Sequence, residues 1–201
     1  MDESTSQVQR LIAVNVGTFV LFHTVGQGRA TWIAEHFHVS LQAVLAGRPW
    51  TLLTSSISHL DTTHLLFNLL GLWVFGPLVE ARMGVRAFWA VVLGGALTSG
   101  LAHVGFEWWT SGDARALGAS GVVLALATVA TWLAPQRKIL LFFVLPLPMF
   151  VVMPLFVAMD VWGLTDATSE VGHAAHLGGV VFGAAWVAVW QRFGARVVRG
   201  G

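Results

Sequence analysis

An all-α polytopic membrane protein, a six-transmembrane-helix bundle, is the fold class that this sequence predicts. Three observations predict it. Of 201 residues 56% are hydrophobic and 10% charged, with a mean hydropathy of +0.73, a balance suited to lipid and not to a soluble domain with a large core. Apolar runs recur along the whole chain between short polar turns. One of them, Val122 to Leu133, holds no charge and follows a serine between glycines, Gly118-Ala119-Ser120-Gly121. The net charge of +1 argues against nucleic acid, which requires a dense basic face. With no cysteine, disulfides and thiolate metal sites are excluded and the redox compartment is unreadable. The length suggests a single domain over 1–201. Asp2 and Glu3 precede the first apolar run with no basic cluster, so neither a secretory signal nor an Arg-rich transit peptide is expected.

The first apolar run, Leu11 to Val25, follows Arg10, and with Val8 and its neighbours the first helix is expected at about 8–25. From Gly26 to Asp61 the apolar residues come in pieces too short to cross a bilayer. This stretch reads as a long ordered loop partly embedded in the membrane interface, where Trp32, Phe37 and Trp50 suit the boundary. The second helix spans about 62–81, with Asp61 or Thr62 as its cap. After a tight basic turn, Arg82 to Arg86, the third runs over 87–106. A polar loop from Glu107 to Ala116 leads to the fourth, 119–134, closed by Pro135. The fifth is expected over 139–161, kinked or partly unwound by Pro146, Pro148 and Pro154. The sixth covers 172–190, ahead of Arg192, Arg196 and Arg199.

Basic residues suggest an orientation. With a cytoplasmic N-terminus, eight fall in inside segments (Arg10, Arg82, Arg86, Arg137, Lys138, Arg192, Arg196, Arg199) and three outside (Arg29, Arg48, Arg115). The positive-inside rule then places both termini in the cytoplasm of a multi-pass protein, and a bacterial cell inner membrane is the expected home. From Ser120 to the end of its helix is about 14 residues or roughly 21 Å, so the hydroxyl lies on the order of 10 Å below one surface of a ~30 Å core. His64 and Asn68 share a face of helix two, and Asn68 stands roughly 21 Å above Arg82. His176 stands roughly 24 Å above Arg192. Helices two, four and six thus carry these side chains to nearly one depth.

Together these residue types suit hydrolysis. A serine hydroxyl needs a neutral imidazole to take its proton. The developing oxyanion needs fixed donors, which Asn68, His64 and the Ser120 backbone N–H could supply. Flanking glycines permit close approach of substrate backbone, and water must reach the site through a cavity.

The segments His59-x4-His64-Leu65-Leu66-Phe67-Asn68, Gly118-Ala119-Ser120-Gly121 and Ala175-His176-Leu177-Gly178-Gly179 follow one another on helices two, four and six. In these the chain, from about Trp50 to Trp190, resembles the rhomboid family of intramembrane serine proteases, in its minimal six-helix bacterial form. The resemblance implies Ser120 as nucleophile and His176 as general base, with His64, Asn68 and Gly118 at the oxyanion site. It also implies no cofactor or metal, and partners that are transmembrane protein substrates within the lipid bilayer. Glu80-x3-Gly84 resembles a structural family motif, and Gly179 and Gly183 opposite Gly121 and Ala125 would let helices four and six close up.

The chain departs from the family pattern at three places. Trp50 is followed by Thr51 where arginine is frequent, Leu124 stands where an aromatic often packs on the histidine, and His173 doubles His176. His176 fits the Ala-His-x-x-Gly frame. His59 reads as a structural hydrogen-bonder. Asp160, Asp166 or Glu170 could orient the base as a triad acid, although the resemblance implies a dyad. Two rival functions remain: a non-catalytic rhomboid-like protein that binds transmembrane clients, and a metal or haem protein using His64, His173 and His176, for which no His-Glu-x-x-His pattern is present.

Overall fold

Helix α1, Gln7–Val25, begins the computed structural model, which describes residues 6–25, 28–141, 144–166, 169 and 171–193. Asp2, Glu3, Gly26, Glu170, Arg196 and Arg199, named above, lie outside the described residues. The first turn of α1 is anchored by a distant carboxylate. Glu80 accepts from the backbone N–H groups of Gln7 (2.9 Å) and Val8 (3.3 Å), which places negative charge at the positive end of the helix.

The long first loop is built of short helices: α2 (Ala30–Phe37), α3 (Leu41–Leu45) and α4 (Thr51–Thr54), then a 3-10 turn, Ser55–Ile57. Thr51, at the position where arginine is frequent, is fully buried and donates to Arg48 O.

Helix α5, Thr62–Thr110, holds 49 residues but is broken at Gly84, where φ is +82° and ψ 169°. Glycine tolerates that left-handed conformation without a Cβ clash. The chain reverses there into two arms, 62–83 and 85–110, so Gly76 of the first lies against Phe88 of the second. These arms correspond to the expected second and third helices. Asp61 caps the first by accepting from His64 N at 2.9 Å. The second arm runs past 106 to Thr110 and ends on Ser111 in the left-handed region. The beginning of the expected polar loop at Glu107 is therefore helical, and the Glu107 carboxylate bridges back to Ala114 N at 2.7 Å.

Helix α6, Ser120–Leu133, is the most enclosed element, with Ala125, Leu126, Ala127, Val129 and Ala130 fully buried. The expected fifth helix is corrected at its start. Lys138–Leu141 (β1) and Leu145–Pro148 (β2) pair as an antiparallel hairpin, and α7 is only Met149–Gly163. Pro146 and Pro148 cannot donate to a helical ladder, which explains the late start. Pro154 sits inside the helix, past its first turn, and withholds one backbone donor from the ladder there. Helix α8, His173–Phe193, closes the bundle.

The core gathers Leu72, Val79 and Phe88 from α5, Leu126 from α6, Met149 and Val152 from α7 and Val8 from α1. A Cβ at Gly179 would fall on the main chain of Gly121, and one at Gly183 on Ala125 O and the Thr128 side chain. Small residues thus let α6 and α8 meet backbone to backbone. Among the described residues, α5 and α8 are long and apolar enough to cross a membrane, while α6 and α7 are shorter apolar helices of 14 and 15 residues.

Candidate active site

Ser120 is the first residue of α6, reached through Gly118 at φ +116°. The approach is held by two hydrogen bonds from the first loop: Gly118 N donates to Ser55 O at 2.9 Å, and Ala119 N to His59 Nε2 at 3.3 Å. Val39 and Ala116 form an antiparallel bridge just before it. The first loop is thus the support for the serine turn.

Across the seam with α8, Ser120 Oγ lies 2.8 Å from His176 Nε2. The other ring nitrogen, Nδ1, lies 2.9 Å from Asp160 Oδ1 on α7. A carboxylate oxygen only accepts, so Nδ1 carries the hydrogen and Nε2 is left bare to accept from the serine hydroxyl. The same Asp160 oxygen takes a second imidazole donor, His173 Nδ1, at 2.8 Å. His173 Nε2 in turn accepts from Ser169 Oγ at 2.9 Å. Asp160 is buried, and both histidine side chains are mostly buried.

His64 and Asn68 stand beside Gly118, where an added Cβ would meet the His64 ring at Nε2 and come within 3.6 Å of Asn68 Nδ2. Asn68 is buried and spends one of its two amide hydrogens on His64 O, at 3.0 Å. Ser120, His176, His64, Asn68 and Gly118 all line one cavity of about 620 Å³, together with Asp160, His173 and Leu124. Leu124 offers the cavity an aliphatic wall where the family pattern has an aromatic.

His59 lies outside the cavity lining and packs edge-on against His64, with ring centroids 5.1 Å apart. Burial, with His64 adding to it, pushes the His59 imidazole down to about 4, so the ring stays neutral and its Nε2 remains an acceptor for Ala119 N. Asp160, His173 and His176 each present one donor atom within 4.8 Å of the others, a set that could hold a metal ion. The hydrogen bonds already described satisfy the same atoms. By residue pattern alone, Asp160 is one of three candidate acids and His173 a second candidate histidine beside His176. The available signal was an aspartate within an apolar run, expensive in lipid unless partnered.

A family model for the Rhomboid domain matches residues 46–193 of the chain. Among curated relatives, RHOMBOID-like protein 12, mitochondrial, of Arabidopsis thaliana is 29% identical over 89% of this chain and 57% of its own length. Rhomboid protein 1, mitochondrial, of Saccharomyces cerevisiae is 30% identical over 88% of this chain and 51% of its own. Presenilin-associated rhomboid-like protein A, mitochondrial, of Danio rerio is 28% identical over 96% and 51%. The chain thus spans about half the length of the relatives it matches. The expected bacterial cell inner membrane with both termini cytoplasmic is corrected by these relatives, which are mitochondrial proteins by name.

Proposed function

The chain belongs to the rhomboid family, and from that premise we propose that it is a serine endopeptidase that cuts transmembrane segments of membrane proteins. The observation that carries this reading is the 2.8 Å contact between Ser120 Oγ and His176 Nε2 inside a cavity. In the proposal, α1, the two arms of α5, α6, α7 and α8 are six membrane-spanning segments. Exposed Trp32, Trp108, Trp109 and Trp162 are suited to the membrane boundary. Helix α6 is about 21 Å long against a ~30 Å core, so its serine end stays below the surface, within reach of a substrate helix.

Catalysis then runs through named atoms. His176 Nε2 takes the Ser120 proton as Oγ bonds to the scissile carbonyl carbon, and the carbonyl oxygen becomes negative. The Ser120 N–H, free of an i−4 partner at a helix start, the second Asn68 amide hydrogen and His64 are the donors for that oxygen. As the C–N bond breaks, the imidazolium returns its proton to the leaving amine. Water then releases the acyl chain by the same steps. A substrate helix must unwind locally first, since its carbonyls are otherwise engaged in i to i−4 bonds. The oxyanion donors account for about 10²–10³-fold in rate each.

The test is cleavage of a labelled transmembrane segment in proteoliposomes by wild type beside Ser120→Ala. Cleavage by wild type alone is expected. Tight binding of the segment with no cleavage by either would instead favour a client-binding protein.

A further inference from the structure

We propose that Asp160 is the positioning residue of the base and that His173 is the clamp that holds Asp160 in register. The working unit would then be the chain Ser120, His176, Asp160, His173. This inference rests on the protease reading of the same cavity.

Three features carry it. First, one carboxylate oxygen receives both imidazoles, at 2.9 Å from His176 Nδ1 and 2.8 Å from His173 Nδ1. His176 uses its far nitrogen for Ser120, so Asp160 alone determines which tautomer faces the serine. Second, a buried carboxylate in an apolar helix is costly without donors. His173, three residues before His176 and on the same face of α8, supplies the second one. Third, His173 is itself built into place. Its Nε2 takes the Ser169 hydroxyl at 2.9 Å, and its ring lies flat against Gly163, the last residue of α7, where any Cβ would collide with it. The ring orientation is therefore fixed by Gly163 of α7 and by the Ser169 hydroxyl as well as by the bond to Asp160.

The consequence is specific. With Asp160 in place, the imidazolium that forms during attack sits next to an acceptor already aimed at Nδ1–H. Without it, His176 can adopt the tautomer that presents Nε2–H to the serine and cannot accept its proton.

Kinetics on the full-length protein in proteoliposomes, with a cleavable transmembrane segment, test this. For Asp160→Asn we expect kcat to fall about 100-fold or more while KM stays within about 3-fold. For His173→Ala we expect about a 10-fold fall in kcat. His173→Asn, whose amide N–H can stand where Nδ1–H stood, should recover to within about 3-fold of wild type. Wild-type kcat in Asp160→Asn overturns the proposal, as does a His173→Asn variant no better than His173→Ala. A second measurement needs no variant. In ¹⁵N-histidine NMR of the wild type, His176 should carry its hydrogen on Nδ1 with Nε2 bare, and the opposite tautomer overturns the proposal. One equivalent of zinc in the purified protein would also overturn it, because the metal would take the same three donors. Absence of wild-type cleavage is a failure of the protease reading itself. Cleavage by wild type and Asp160→Asn alike is a failure of this inference alone.

Discussion

Along the seam between α6 and α8, Gly179 and Gly183 bring main chain against main chain, whereas α7 meets α8 through one carboxylate and two imidazoles. The two regions hold parts of one site by different means. The seam fixes Ser120 relative to His176 through backbone that has nowhere to retreat. Helix α7 buries only Met149, Val152, Met153 and Asp160, against eight residues for α6. Its hold on the site is therefore mostly polar. The difference teaches that the proposed reacting pair and the group proposed to orient it should respond differently to the same perturbation.

Adding one methyl group to each region breaks the comparison most sharply. In Gly179→Ala the new Cβ meets the Gly121 carbonyl and main chain, so the helices must part. Loss of cleavage by about 100-fold or more is expected, with a melting temperature lowered by roughly 3–10 °C from an overpacking cost of about 1–3 kcal/mol. Asn68→Ala removes a proposed oxyanion donor without touching either contact region, and kcat should fall about 100-fold with little change in KM. In Gly163→Ala the Cβ meets the His173 ring, the movable end of a side chain. A fall of only about 5–10-fold is expected, because one added methyl displaces the clamp and not the pair. If Gly163→Ala proved as damaging as Gly179→Ala, the distinction between the two regions would be wrong.

Two smaller effects concern the supports beyond the site. Glu80→Gln weakens the carboxylate cap on α1, and a melting temperature lower by about 2–4 °C with unchanged kcat is expected. His59 has its ordinary 6.5 pushed down to about 4. Between those values the unfolded chain binds a proton that the folded chain does not, so stability falls as pH drops through that window and is fully present above 6.5. Melting at pH 4.5 should lie below that at pH 7, and His59→Gln should narrow the difference, its side-chain oxygen replacing Nε2 as acceptor for Ala119 N.

Much of this arrangement could be read from residue types. The helices over 7–25, 62–110, 120–133 and 173–193 follow from charge-free runs, caps and the basic turn at Gly84. The small residues at 121, 125, 179 and 183 announce a close seam, because nothing else explains glycine at helical spacing there. The hairpin at 138–148 was hidden because an apolar run with prolines fits a broken helix as well as two short strands. Asp160 is hard to single out for another reason. Thirteen residues separate it from His173, and local spacing does not say which face of α7 will turn toward α8. The membrane address was not legible either: counting basic residues suggests a sidedness and says nothing of which organelle the membrane encloses.

The central claim is an activated Ser120, and covalent labelling tests it most directly. Detergent-solubilised wild type, Ser120→Ala and His176→Ala would be treated with a fluorophosphonate probe, and the labelled residue identified by peptide mass. Labelling of wild type at Ser120, absent in both variants while all three remain folded, is the predicted result. A folded wild type that stays unlabelled, or a His176→Ala protein labelled as fast as wild type, would contradict it.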